Sequence, residues 1–292
     1  MNGPNPTAPA RPSGPALAAW LAVAGLLVWL YGPVVVSMAG NWWADPNYSH
    51  GFLVPLVAAY LVWRQRQSLA RLAAGPNPLG LVVVALGLVM LLVGQQAHEF
   101  YLRRASLIPV LWGLTLLAWG WAAARRTLFP AAYLLLMVPL PYLIYDAVAF
   151  PLRLVAARLA GWVVRLFGIP VLVDGNTLHL PHVVLDVVDA CSGIRSLISL
   201  LAAGVILAYL MLPNRWLKLV VALLVVPVAL ATNALRVAAA GLLAEYVGPQ
   251  TLEGAMHDTV GWVVFMVAFL VLAGVTLLLK KLSRPGGESH GQ

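Results

Sequence analysis

The chain is 292 residues long, 62% hydrophobic and only 10% charged, where a globular chain averages ~45–50% and ~25%. With a mean hydropathy of +0.89, this composition excludes an ordinary soluble domain and describes a polytopic membrane protein. The formal net charge of +8 comes from Lys and Arg spread over short loops, not from a basic stripe with interleaved aromatics, so no nucleic-acid partner is expected.

Residues 1–15 are polar, Pro-rich and basic only at Arg11; they read as a disordered leader. The Ala16–Ser37 run is longer than the ~7–15 residues of a signal-peptide core, so a retained first span is expected. A hydrocarbon core of ~30 Å needs ~20 apolar residues. On that rule about eight spans follow, near 16–38, 50–64, 79–97, 105–123, 127–145, 194–213, 216–236 and 258–280. The second is short, and the fifth contains Pro139 and Pro141. The expected fold class is an all-α polytopic membrane protein, with a transmembrane domain over 16–283 and a cytoplasmic tail over 284–292.

With the N-terminus inside, the inner segments hold Arg11, Arg64, Arg66, Arg71, Arg125, Arg126, Arg215, Lys218, Lys280, Lys281 and Arg284. These are eleven of the 18 basic residues, and only Glu288 of the ten acidic ones joins them. Basic residues retained beside short loops set orientation, so both termini are expected inside and 39–49, 98–104, 146–193 and 237–257 outside. Trp42, Trp43 and Trp63 are expected to be interface belt residues. The stretch 146–193 is the only long outer segment. Its first part, Asp146–Phe167, is apolar but interrupted by Arg153, Arg158 and Arg165, and predicts an amphipathic helix lying in the interface. Then β-branched runs, Val171–Leu180 and Val183–Val188, accompany the turn signal Asp174-Gly175-Asn176. They predict a small extracytoplasmic β-hairpin that leads to span six.

Cys191 is the only cysteine, so no internal disulfide can form. Packing is the ordinary fate of a free Cys, but this one precedes Ser192-Gly193, a chain break at the start of an apolar helix. Unpaired N–H groups and the helix dipole favour a thiolate there, with Arg195 one turn in. Arg236 stands at the expected outer end of span seven. An interfacial Arg that snorkels to water is common, yet a guanidinium beside a cavity suits an oxyanion. Asn233, one turn earlier, shares its face and is suited to hold Arg236 or a substrate amide. His257 opens span eight and titrates near neutrality, which suits a general acid or base; Asp258 beside it points elsewhere on the helix. His50, in Tyr48-Ser49-His50-Gly51, is either an interfacial anchor or a substrate contact. His98 with Glu99, and His179 with His182, are too few ligands for a zinc site.

Three blocks of this sequence, Asp189-Ala-Cys-Ser-Gly-Ile-Arg-Ser-Leu197, Asn233-Ala-Leu-Arg-Val237 and the His257 region, resemble the signature regions of the exosortase/archaeosortase family. Tyr48-Ser-His-Gly51 and a span ending in Trp63-Arg64 are similar to the N-terminal region of its bacterial branch. The resemblance implies a membrane cysteine transpeptidase without a cofactor, in the bacterial inner membrane, with its active site on the periplasmic side. It implies as partners the C-terminal sorting signals of secreted proteins (a short motif, Pro-Glu-Pro in many cases, then a transmembrane helix and a basic tail), together with membrane lipid and an amine or lipid-linked acceptor. Cys191 would then be the nucleophile, Arg236 the oxyanion or orienting residue and His257 the acid or base. Ser192, Gly193, Arg195, Asn233 and His50 are expected around the substrate. Glu245 and Glu253 are outer acidic residues able to attract an amine-bearing acceptor or simply to be solvated. The alternatives are a transporter or non-catalytic subunit of envelope or exopolysaccharide export, and a hydrolase at the same site. A transporter calls for ionisable groups at mid-membrane depth, whereas these fall at the expected span ends.

Overall fold

The computed structural model describes residues 14–72, 75–187, 193–252 and 254–283, with the side chains of Ala16 and of 254–258 outside that description. The chain divides into two compact units, Met1–Pro141 and Tyr142–Gln292. Among the described residues, seven stretches are long and apolar enough to cross a membrane: Leu17–Ala44, Leu79–Gln96, Phe100–Met137, Tyr142–Leu166, Ile194–Met211, Arg215–Tyr246 and Thr259–Leu282. The protein is an all-α polytopic membrane protein carrying one small sheet.

The first unit contains α1 (Gly14–Ala44), α2 (Leu53–Arg64), α3 (Arg66–Ala70), α4 (Leu79–Gln96), α5 (Phe100–Ala105) and α6 (Leu107–Tyr133). A 3-10 turn at Pro46–Phe52 leads into α2, and another at Leu134–Met137 follows α6. The first begins at Asp45, whose carboxylate accepts from Asn47 N at 2.8 Å. The expected second span, 50–64, appears only as the 12-residue α2, which is not among the seven stretches long enough to cross.

α6 is not one rod. Gly120 has φ 74°, ψ −173°, and the indole of Trp112 donates to Ala124 O at 2.8 Å. Twelve residues of straight helix would put those positions ~18 Å apart, so the chain must reverse at Gly120. A Cβ at Gly120 would also collide with Gly75 O, so this left-handed turn requires glycine. The two arms correspond to the expected fourth and fifth spans. Their turn comes at Gly120 rather than in the expected loop around Arg125 and Arg126, both of which lie on the second arm. The second arm ends before Pro139 and Pro141, and α7 begins afresh at Tyr142.

α4 lies against α5 and the first arm of α6 through glycines spaced seven apart. A Cβ at Gly80 would come 2.6 Å from Gly113 O, one at Gly87 2.5 Å from Val110 Cγ2, and one at Gly94 2.6 Å from Arg103 N. Two seven-residue steps keep all three near one helix face, and removal of Cβ lets backbones approach as small residues do in membrane bundles. α1 runs antiparallel to the same arm. Trp20 stacks on Trp119 at 5.8 Å, Tyr31 Oη meets Ser106 Oγ at 3.1 Å, and Arg104 Nη2 donates to Ser37 Oγ at 3.1 Å.

These pairings sort the unit's charges by end. Asp45, His50, Glu99, Arg103 and Arg104 lie at one end, and Arg64, Arg66, Arg71, Arg125 and Arg126 lie toward the Gly120 end. Trp43 is exposed, as a belt residue would be. Trp42 is buried instead; its indole donates to Met137 O at 2.9 Å over Gly51, so it is a packing residue and not part of the expected belt.

The second unit contains α7 (Tyr142–Leu166), a sheet of β1 (Leu172–Asp174), β2 (Thr177–His179) and β3 (Val184–Asp186), then α8 (Ile194–Met211), α9 (Arg215–Tyr246) and α10 (Gly254–Leu282). The expected hairpin gains a third strand. The order is β1-β2-β3, all antiparallel, with Val173 opposite Leu178 and Leu178 opposite Leu185. Period-two alternation turns Leu178 and Leu185 to one face, where Val171, Leu180 and Val187 join them against Ala157, Ala160 and Val164 of α7 and Val237 and Ala238 of α9. Gly161 of α7 makes room for Val173 Cγ2, which a Cβ would approach to 2.5 Å. α7, expected in the interface, is also long and apolar enough to cross; of its arginines, Arg153 pairs with Asp146 at 3.0 Å and Arg165 donates to Val171 O at 2.9 Å. A second core ties α8, α9 and α10 together through Leu200, Ala208, Val221, Val225, Ala268 and Leu272.

Candidate active site

α8 starts at Gly193, whose φ of 78° makes it a left-handed N-cap. The first turn closes through Leu197 N donating to Gly193 O at 2.8 Å. A side chain at this position would be strained and would also strike α9, because a Cβ there lies 2.9 Å from Asn233 Cγ. The glycine just after Cys191-Ser192 is therefore seated directly on Asn233. Cys191 and Ser192 themselves lie outside the described residues. Arg195 is half-buried in the first turn of α8, at the positive end of that helix dipole.

Asn233 and Arg236 are three apart on α9 and so share a face. Both are buried, at 3% and 7% exposure. Arg236 is not at the outer end of a span closing at 236, as the sequence predicts: α9 is a 32-residue helix running ten residues further, to Tyr246. Its extension is covered by the sheet through Val237 and Ala238. Arg236 is thus a buried guanidinium inside a helix, not a snorkelling end residue. The contrast with a transporter, drawn from ionisable groups at span ends, does not hold at this position.

The guanidinium is aimed at α10. A Cβ on Gly261 would come within 2.8 Å of Arg236 Nη2 and 2.9 Å of its Cζ. Only a residue with no side chain lets Arg236 lie flat there. His257 precedes Gly261 by one helical turn on α10, so the two positions share a register; the His257 side chain is outside the described residues. The structure therefore brings together the start of α8, the Asn-x-x-Arg of α9 and the α10 turn that follows position 257.

Other candidates fall elsewhere. His50 belongs to the first unit, where its Nε2 lies 3.1 Å from Leu136 O and so donates to it. Glu245 is not a solvated loop residue: it accepts from His182 N at 3.2 Å and pairs with His182 Nδ1, latching the loop after β2 to α9. Glu253 is outside the described residues. His179 is exposed, and no group of three metal-ligating side chains occurs among the described residues.

Sequence reading missed the two glycines that seat the site, Gly193 as a contact and Gly261 altogether. Gly261 stands four residues after His257, a spacing that marks one helix face, but only the fold reveals that the face meets Arg236. The Glu245–His182 latch gave no local sequence signal, being 63 residues apart.

The chain has also been compared with known proteins. No curated protein and no solved structure gives a significant match. The family model described as transmembrane exosortase matches residues 42–274, a stretch that takes in every residue of the candidate site. On that match, over most of its length, the chain belongs to the transmembrane exosortase family.

Proposed function

We propose that this protein is a cysteine transpeptidase acting on C-terminal sorting signals of exported proteins, with Cys191 as nucleophile, Arg236 as oxyanion partner and His257 as acid and base. The observation that carries the reading is the double glycine seat, Gly193 on Asn233 and Gly261 under Arg236. It ties the segments bearing all three residues to one end of one unit.

The reaction runs in two halves. The Cys191 thiolate attacks the carbonyl carbon of the scissile amide, and the negative charge on oxygen is met by the Arg236 guanidinium in a low-dielectric setting. The C–N bond breaks as His257 delivers a proton to the departing amine, leaving a thioester on Cys191. An acceptor amine then attacks the thioester carbon. His257 takes its proton, the new amide forms and the thiolate leaves. Water in place of the amine gives hydrolysis. The substrate's apolar tail lies alongside the spans and its basic end at the inner face, which sets the scissile bond at the outer leaflet of the bacterial inner membrane. The N-in, C-in orientation belongs to the same proposal and is supported by the basic bias of the expected inner loops.

The test is processing of a reporter with a motif, an apolar segment and a basic tail, co-expressed with the enzyme. Cys191→Ala is expected to abolish release of the tail, while Ser49→Ala, an exposed substitution, leaves it intact. Unchanged processing by Cys191→Ala would remove the thiol from the mechanism and favour a transport or scaffold role.

A further inference from the structure

At the Gly120 end of the first unit, a cleft of about 450 Å³ is lined by Arg64, Gln67, Ser68, Arg71, Leu72 and Arg126. That volume is within the ~300–1,000 Å³ of small-ligand sites. Three arginines line this space, and none is ion-paired among the described residues. Two neighbouring arginines are engaged otherwise. Arg66 lies over the Trp63 ring at 4.1 Å and donates to Trp63 O, and Arg125 lies over Trp121 at 5.6 Å.

Within the first unit, no described carboxylate balances the three. The first unit's sequence contains just two, Asp45 and Glu99, and both cap helical turns at the opposite end by accepting backbone N–H groups. Like charges gathered without a counter-ion repel, and an anion between them relieves that cost. Gln67 and Ser68 add polar groups, the Ser68 hydroxyl donating to Gln65 O.

The helix leading to the cleft indicates what kind of anion it is. Leu56, Tyr60 and Trp63 are all exposed. At steps of four and three they form one stripe on α2, and that helix ends at Arg64, which lines the cleft. An apolar stripe ending in a basic cleft is amphipathic in the same sense as a phospholipid. We infer that this cleft binds the phosphate of an anionic glycerophospholipid, with Arg64, Arg71 and Arg126 around the headgroup and the acyl chains along Leu56, Tyr60 and Trp63. Guanidinium groups suit the task because they meet phosphate oxygens in a bidentate fork. The inference stands apart from the catalytic reading, since no residue of the cleft belongs to the site in the second unit.

The experiment is native mass spectrometry of the detergent-purified full chain. It is offered dioleoylphosphatidylglycerol, dioleoylphosphatidylcholine or inorganic phosphate, with thermal melting confirming that each variant is folded. Wild type is expected to retain phosphatidylglycerol over phosphatidylcholine. Arg64→Gln/Arg71→Gln/Arg126→Gln is expected to retain at least ~10-fold less, each basic group near a lipid surface having a measurable share in the binding. Arg66→Gln, whose guanidinium is on Trp63, should retain as much as wild type. If the triple variant does not fold, Arg126→Gln alone carries the test, with a several-fold drop expected. Tyr60→Ser should weaken phosphatidylglycerol retention without changing any protection by phosphate. Equal retention of the two lipids by wild type, or equal phosphatidylglycerol retention by wild type and the folded arginine variant, overturns the inference. Phosphate binding as tight as phosphatidylglycerol, unaffected by Tyr60→Ser, overturns the lipid as its source.

Discussion

Two glycines seat the residues of the candidate site, Gly193 against Asn233 and Gly261 against Arg236. Arg236 is buried in the middle of α9 and held flat against Gly261, so its position depends on an atom that is absent. Gly261→Ala would place a methyl group 2.8 Å from Arg236 Nη2, well inside van der Waals contact, and the guanidinium would have to swing away. Displacement of a reacting group by ~1 Å is enough to cost ~100-fold in rate. Gly261→Ala is therefore expected to reduce processing of a tailed reporter by about that factor while the melting temperature in detergent changes little, because Arg236 gives way and the helices do not. A large loss of thermal stability with processing per folded molecule unchanged would instead make Gly261 a packing residue only. The same reasoning covers Gly193, whose left-handed backbone and contact with Asn233 would both resist a side chain. Cys191, Arg236 and His257 could be picked out from the sequence by residue type and neighbourhood. Gly193 is legible as a chain break beside them, but its seat on Asn233 and the part played by Gly261 are not, because periodicity shows which residues share a face but not which face meets which.

At the level of elements, the sheet matters because it covers the half of α9 that carries Arg236. Leu178 is fully buried between α7 and α9, and truncating a buried leucine costs ~2–5 kcal/mol. Leu178→Ala is thus expected to loosen the sheet and lower the melting temperature of the detergent-solubilised protein, with faster proteolysis between 171 and 187. A variant as stable and as protease-resistant as wild type would show that the sheet is not a structural cover. The hairpin was legible in the sequence because β-branched residues and Asp174-Gly175-Asn176 are local signals. Three other features were not. A charge normally closes a span, which puts the expected end of span seven at Arg236; hydropathy holds no account of a sheet that packs on the following Val237 and Ala238. Basic pairs ordinarily mark loops, which puts the expected turn at Arg125 and Arg126, whereas Arg125 rests on Trp121 and the second arm is already helical there. The glycines at 80, 87 and 94 are a repeat of single residues in an apolar run, invisible until a partner backbone lies against them.

For the whole molecule, a strongly apolar chain leaves few ionisable groups, and the fold segregates them. In the first unit the two carboxylates share one end with Arg103 and Arg104, and the other five described arginines are toward the opposite end, a basic bias that agrees with a fixed orientation across a membrane. In the second unit the sheet, Gly193, Asn233, Arg236 and Gly261 occur at one end, while Lys280 and Lys281 close the last turn of α10 at the far end. Such polarity suits an enzyme that meets an exported substrate on one surface and its basic tail on the other. The transmembrane exosortase family match spans nearly all of this architecture. What makes the protein an enzyme in this account is a covalent bond to its single sulfur. The most direct measurement is mass spectrometry of the purified chain after brief reaction with a tailed peptide substrate and acid quench. A thioester-linked acyl fragment on the peptide containing Cys191, released by hydroxylamine and absent in Cys191→Ala, is the predicted result. Turnover of the substrate with no adduct at Cys191 under any quench, and undiminished in Cys191→Ala, would contradict it.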